Sequence, residues 1–281
     1  MKLYRLSLVI LIFLCIVAKP AISQYYYKDI WLLDQSNQQF KVLKSSGLRT
    51  IVIKSFEANG EASENFFCEK RINKNYTVSE MKSNSDITGK SVLTAYYNDK
   101  GLLTRSVDST ESATNYTDYR YDDAGRLKSI SFHSHADDDS TARGEEHIYS
   151  YGTDGKIKSM IRKKMNILFS TIDFKTNEQG YVTDEAEKIK GQPTKFYYYY
   201  YDDTSRLTDV VYNNERLDQM LPCYMYRYDD QGQIDQLLAT EEGGSNYTIW
   251  RYHYNDKKLR DAEKCYNKDK KLLGSIEYEY R

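Results

Sequence analysis

The stretch HSHADDDSTARGEEH, residues 133–147, gathers the side chains in this chain that are best suited to chemistry. It holds His133, His135, Asp137, Asp138, Asp139, Glu145, Glu146 and His147, and so three of the 4 histidines. Imidazole nitrogens and carboxylate oxygens at that density suit zinc or a similar divalent ion, which would activate a water for hydrolysis. The candidate ligand set is His133, His135, Asp137 and His147. Three acidic pairs, Asp122–Asp123, Asp202–Asp203 and Asp229–Asp230, have the composition of acid–base partners. A third candidate is the unbroken aromatic run Phe196, Tyr197, Tyr198, Tyr199, Tyr200 and Tyr201. On a strand, alternate rings of that run fall on opposite faces, and the outward set would form a flat platform for sugar rings or a partner's aromatics. The chain contains no G-x-S-x-G, no HExxH, no Walker loop and no G-x-G-x-x-G after a strand.

The acidic pairs lose their catalytic appearance once they are placed in the elements that carry them. All three occupy one slot of a recurring phrase: YYNDKGLL at 96, YRYDDAGRL at 119, YSYGTDGKI at 149, DFKTNEQGYV at 173, YYYDDTSRL at 199, YRYDDQGQI at 226 and YHYNDKKL at 252. Each phrase reads as one hairpin. Tyr-x-Tyr puts two rings on one strand face, and Asp or Asn starts a turn by accepting backbone N–H bonds. Gly101, Gly125, Gly155, Gly180 and Gly232 supply positive φ, and an aliphatic residue opens the returning strand. Ser205 and Lys258 replace the glycine in two copies, so looser turns are expected there. The His-rich stretch then becomes a long acidic loop between two strands, and tyrosines at equivalent positions are expected to stack across neighbouring strands.

These phrases resemble the YD repeat of the RHS-like family, whose hallmark is close to YxYDxxGRL. Residues 119–127 match it at each defined position, and 226–234 depart at Gln233 and Ile234. The resemblance covers about residues 92–281. It implies an all-β fold: an extended, curved antiparallel sheet of successive β-hairpins, open or partly closed, in a chain too short for the hollow shells of large members. Toxin function is not implied, because no toxin segment is appended. The chain is most similar to short secreted YD-like proteins of Gram-negative bacteria. A second likeness, of HSHADD to the HxHxDH metal motif of the metallo-β-lactamase superfamily, lacks that motif's final histidine.

The opening residues have a different character. Lys2 and Arg5 precede an apolar run, LVILIFLCIVA at 8–18, and Ala21 and Ser23 place small side chains where a signal peptidase reads. A secretory leader over 1–23, cut before Gln24, is expected. The run is shorter than the ~18 apolar residues a membrane-spanning helix needs. Without the leader the chain has 37 cations and 41 acids, which offers no electrostatic footprint for nucleic acid. Cys68, Cys223 and Cys265 remain, either as one disulfide and a thiol or as buried thiols.

Residues 24–90 are expected to form an N-terminal β region, with strand, Asn-Gly turn and strand in LRTIVIKSFEANGEASENFFCEKRI, capping the first edge of the 91–281 repeats. Trp31, Leu32 and Leu33 would pack into that cap. The reading that follows is an exported, non-enzymatic β-repeat scaffold of the cell envelope. It would sit in the periplasm, on the outer-membrane surface or outside the cell, and bind an envelope protein or carbohydrate without a cofactor. The alternative is a metal-dependent hydrolase built on His133, His135 and His147. An outer-membrane barrel is disfavoured by charges on both faces of the strands.

Overall fold

Strands form where tyrosine, β-branched and aliphatic residues alternate with charged ones, and they stop at the Asp/Asn-x-x-Gly turns. The computed structural model describes residues 24–136, 139–214, 217–240 and 246–281. Residues 24–45 are helical: a π-helical segment, Tyr26–Trp31, runs directly into α1, Leu32–Ser45. The first strands are β1 (Thr50–Glu57), β2 (Phe67–Ile72), β3 (Val78–Ser85), β4 (Gly89–Tyr97), β5 (Leu103–Thr110) and β6 (Ala113–Tyr121). Next come β7 (Leu127–Ala136), β8 (Asp139–Tyr151), β9 (Ile157–Lys164), β10 (Ile167–Thr176), β11 (Val182–Ile189) and β12 (Lys195–Tyr201). The last are β13 (Leu207–Asn214), β14 (Gln219–Tyr228), β15 (Ile234–Thr240), β16 (Tyr247–Tyr254), β17 (Arg260–Asn267) and β18 (Leu272–Tyr280).

Each strand pairs antiparallel with its neighbours in chain order. β1 then pairs with both β2 and β18, so the 18-stranded sheet closes into an up-and-down barrel. The ribbon of hairpins is therefore as expected, and its ends join. The N-terminal region is not a β cap. Residues 24–45 are helix, and β1 to β4 are staves of the same barrel, which has no edge left to cover. The strand, Asn59–Gly60 turn and strand are present as β1 and β2, with Gly60 at φ 83°.

A barrel of this strand number is wide enough to leave a water channel. Here the helix fills it. Phe40 stacks on Tyr97 of β4 with centroids 3.5 Å apart, and the Asn37 side-chain Oδ1 accepts the Leu103 N–H at 3.0 Å. Tyr26 packs edge-on against Tyr199 of β12, Tyr27 stacks on Tyr224 of β14, and Trp31 leans on Tyr226. Contacts to strands spread round the ring can be made at once only from inside it. Inward aliphatics at the start of returning strands, Leu103, Leu127, Ile157, Val182, Leu207 and Leu259, are all buried and join the helix in one core.

The turns show what the phrase encodes. The Gly125 N–H donates to the Asp122 carbonyl and the Asp122 N–H to the Arg126 carbonyl, both at 2.9 Å, with Gly125 at φ 80° and a bulge before Tyr121. This is a type I turn closed by a left-handed residue. The Asp122 carboxylate accepts the Arg126 backbone N–H at 2.8 Å and side-chain Nε at 2.7 Å, and Asp202 holds Arg206 in the same way. Each arginine then lies over a tyrosine of the following hairpin, Arg126 over Tyr151 at 4.4 Å and Arg206 over Tyr228 at 4.6 Å. Those tyrosines point back: Tyr151 donates its hydroxyl to the Leu127 carbonyl and Tyr228 to the Leu207 carbonyl, both at 2.7 Å.

The same bond is made by Tyr121 to Leu103, Tyr201 to Val182, Tyr254 to Ile234 and Tyr280 to Arg260. Hydroxyl-to-carbonyl clasps, rather than a stacked ladder, are thus what the recurring tyrosines contribute. Ser205 and Lys258 do not loosen their turns. Both take positive φ, 64° and 58°, and keep the closing N–H bond at 2.9 Å.

Two outcomes follow for urea denaturation of the leaderless chain. Ser205→Gly raises stability by about 1 kcal/mol, because a left-handed side-chain residue is replaced by one that adopts the conformation without strain. Tyr228→Phe lowers it by about 0.5–1.5 kcal/mol, the usual net contribution of one hydrogen bond.

Candidate functional site

The polar groups closest to chemistry lie inside the barrel, around the start of the helix. His147 on β8 faces the lumen, because it pairs with Ile130 of β7 and shares that residue's inward face. Its Nδ1 is 2.5 Å from Asp29 of the helix and its Nε2 is 2.8 Å from Glu145. The Tyr149 hydroxyl donates to the same Asp29 oxygen at 2.5 Å. Arg162 on β9 grips Glu145 with Nε and Nη2 at 2.6 and 2.9 Å. Glu187 on β11 accepts from the Tyr25 hydroxyl at 3.0 Å and from Ser170 at 2.9 Å. Glu185, two residues earlier on that strand, accepts the Tyr25 and Tyr26 backbone N–H groups at 2.9 and 3.0 Å and the Tyr199 hydroxyl at 2.7 Å. Its carboxylate thereby satisfies the helix's first open donors and faces the positive end of its dipole.

Burial and pairing oppose one another in this cluster. Burial alone would push the His147 imidazole down, yet Asp29 and Glu145 outweigh it and hold the group at about 9, so it is an imidazolium at neutral pH. Burial likewise raises Glu145, but hydrogen bonds from His147 and Arg162 bring it down to about 2. At Glu185 burial prevails over its hydrogen bonds, and the carboxyl sits at about 7. Burial also holds the Tyr25 and Tyr149 hydroxyls above the ordinary phenol range.

The sequence candidates fall on different sides of this wall. His133 and His135 face outward, both exposed, while His147 is 4% exposed and inward. The structure does not bring the three together. Asp137 lies outside the described residues, and among those described no group of three or more His, Cys, Asp or Glu side chains is placed to hold a metal. The acidic pairs are turn residues, as above. In the aromatic run, Tyr197, Tyr199 and Tyr201 are inward, and Phe196, Tyr198 and Tyr200 outward, with Tyr200 52% exposed. Cys68, Cys223 and Cys265 are buried thiols not joined by a disulfide. Asp29, Glu185, Glu187 and Arg162 were missed from sequence. The signal that could have found the three strand residues is charge at positions of otherwise inward parity on β9 and β11.

Outside, the middle of the wall is studded with exposed charge, including Lys54, Lys82, Arg105, Asp173, Lys188, Arg251 and Lys264. A barrel that crosses a bilayer carries an apolar band about 25 Å tall on that face. No helix among the described residues is long and apolar enough to cross a membrane.

No protein-family model matches the chain, and no curated protein matches it. Among solved structures, it is similar to a porin-like protein from Bacteroides uniformis, at 11% identity over 83% of this chain and 98% of that one, with a TM-score of 0.40. It is similar to the TcdB2–TccC3 toxin at 9% identity over 73% of this chain and 16% of that one, with a TM-score of 0.30. A putative outer membrane lipoprotein-sorting protein domain from Vibrio parahaemolyticus matches at 9% identity over 88% and 93%, with a TM-score of 0.16.

The His147 contribution has a defined pH window. Its folded value lies above the unfolded value of about 6.5, so the stabilisation is complete below that pH and fades as pH rises through about 9. Glu185, Cys265 and the buried tyrosines also lower stability as pH rises, so the His147 share is read as the wild-type profile minus that of His147→Gln. Chemical denaturation should show that difference falling on the order of 3 kcal/mol from pH 6.5 to 10. A difference that does not change with pH would show that the imidazolium is not what Asp29 and Glu145 hold.

Proposed function

We propose that this protein is an exported, non-enzymatic β-barrel scaffold of the cell envelope that works through its outer face, binding an envelope protein or carbohydrate. The observation that supports this reading is the filled lumen. The groups with catalytic potential, His147, Asp29, Glu145, Arg162 and Glu185, are engaged with one another or with the helix start. What remains for a partner is the charged outer wall with its aromatic strip on β12. Phe196, Tyr198 and Tyr200 fall two residues apart, so their rings project from one face about 7 Å from one to the next. Ala186 and Asp184 of β11 pair with Phe196 and Tyr198, and Val211 and Asp209 of β13 pair with Tyr198 and Tyr200, so the strip is bordered by short apolar side chains and carboxylates. Flat rings with a polar tip suit stacking against sugar faces or a partner's aromatics.

A glycan array and an envelope-fraction pull-down with the leaderless chain are expected to return a ligand. The triple substitution of Phe196, Tyr198 and Tyr200 by Ala weakens binding about tenfold or more, the loss of a small cluster of aromatic contacts. The unfolding midpoint changes little, because these side chains face out. Equal binding by wild type and variant would remove the strip from the reading, and no ligand across all fractions would remove the reading itself.

A further inference from the structure

Gln24 stands at the start of the helix and deep in the lumen. It is 1% exposed, and its carbonyl accepts the Lys28 N–H at 2.9 Å, so it belongs to the first turn. The next two backbone nitrogens are already held by the two oxygens of Glu185, which places the nitrogen of Gln24 one residue upstream on the same rim of donors. The Gln24 side-chain carbonyl is buried with no hydrogen-bond partner. The hydrogen-bonded cluster here holds the carboxylates of Asp29, Glu145, Glu185 and Glu187, with Arg162 and His147 as the cations bonded into it. Negative charge is in excess, next to the one nitrogen whose chemistry depends on what precedes it. In the sequence, what precedes it is the pattern Ala21-Ile-Ser23 after an apolar run.

We propose that the Ser23–Gln24 bond is cut and that the α-ammonium group freed at Gln24 is held inside the barrel by Glu185, beside the two backbone N–H groups that carboxylate already accepts. Hydrolysis by a signal-type peptidase adds one water across the amide, leaving a carboxylate on Ser23 and an ammonium on Gln24. A peptide N–H would offer a single donor and no charge. An ammonium offers three donors and a full positive charge, and charge-assisted bonds of this kind are roughly twice as strong as neutral ones. The ammonium also neutralises the carboxylate that burial otherwise leaves half protonated near pH 7. The topology sets an order of events. The helix runs into β1, and β1 is paired on one side by β18, the last strand. The ring closes only after the final hairpin is in place, so cutting precedes closure, while residue 24 is still reachable. This inference does not depend on the outer face binding anything.

The test uses the full chain exported from a Gram-negative host. Intact mass and N-terminal sequencing should give a chain beginning at Gln24 with an unmodified amine. A start at another residue, or loss of ammonia marking cyclisation of Gln24 to pyroglutamate, overturns the proposal. A short Gly-Ser extension before Gln24 replaces the ammonium by a peptide N–H. Glu185→Gln should then reduce the folding equilibrium constant about tenfold more in the processed chain than in the extended one, the effect of one charge-assisted bond. Equal effects in both backgrounds overturn it. If the extended chain does not fold, amine labelling of the processed chain alone decides. Surface lysines should acylate in native protein while the Gln24 amine reacts only on unfolding, and equal rates for both overturn the proposal.

Discussion

A tyrosine hydroxyl donated to the main-chain carbonyl of the preceding hairpin is the contact on which this ring depends. Two-stranded hairpins are marginal in water, and a sheet that closes on itself tolerates no drift in register, since a one-residue slip turns every inward side chain outward. Each bulge before a turn interrupts the ladder at the place where successive hairpins must stay aligned. The clasp from Tyr121, Tyr151, Tyr201, Tyr228, Tyr254 and Tyr280 reaches a carbonyl at that place. The other letters of the phrase serve it. Aspartate folds the turn and orients arginine, and arginine covers the next tyrosine's ring. Where the phrase decays the substitutes are visible. Thr176 stands in the clasp slot of β10, and nearby Lys156 reaches the Asn177 and Glu178 carbonyls instead. Gln233 replaces arginine and bonds the Lys258 carbonyl.

The hairpins were legible because their signals are local. Asn or Asp at the turn start, glycine at the left-handed position and an aliphatic three residues or fewer later recur in most phrases, with Gly152 at one turn start and Ser205 and Lys258 at two left-handed positions. Closure was not legible, because it rests on TIVIKSFE pairing with LLGSIEYEY, two segments more than 200 positions apart that share no motif. The helix was hidden by its composition. YYY at 25–27 has strand propensity, and only the buried set Leu33, Asn37, Phe40 and Leu43 shows the three-to-four spacing of a helix. Tertiary packing overrode propensity there. The histidine cluster misled through parity. His133 and His135 share a face, but the antiparallel pairing of Ile130 with His147 sends the third ring to the opposite one.

Charged residues within a lumen need a reason, since apolar side chains of equal size would often be as stable or more so. Their placement here supplies one. An all-apolar lumen would accept the helix at many depths and rotations, whereas Asp29 can meet both His147 and Tyr149 at only one, and Glu185 can cap Tyr25 and Tyr26 at only one. Breaking either set leaves buried charge without a partner, so wrong seatings are penalised more than the right one is favoured. Tyrosine extends the same logic round the wall, with an apolar ring to fill space and a hydroxyl that must find one acceptor. The result reverses the polarity of a membrane barrel, with apolar mass and directed hydrogen bonds inside and mixed charge outside. The interior is committed to holding the helix. On the proposed function, recognition falls to the outer surface and the rims.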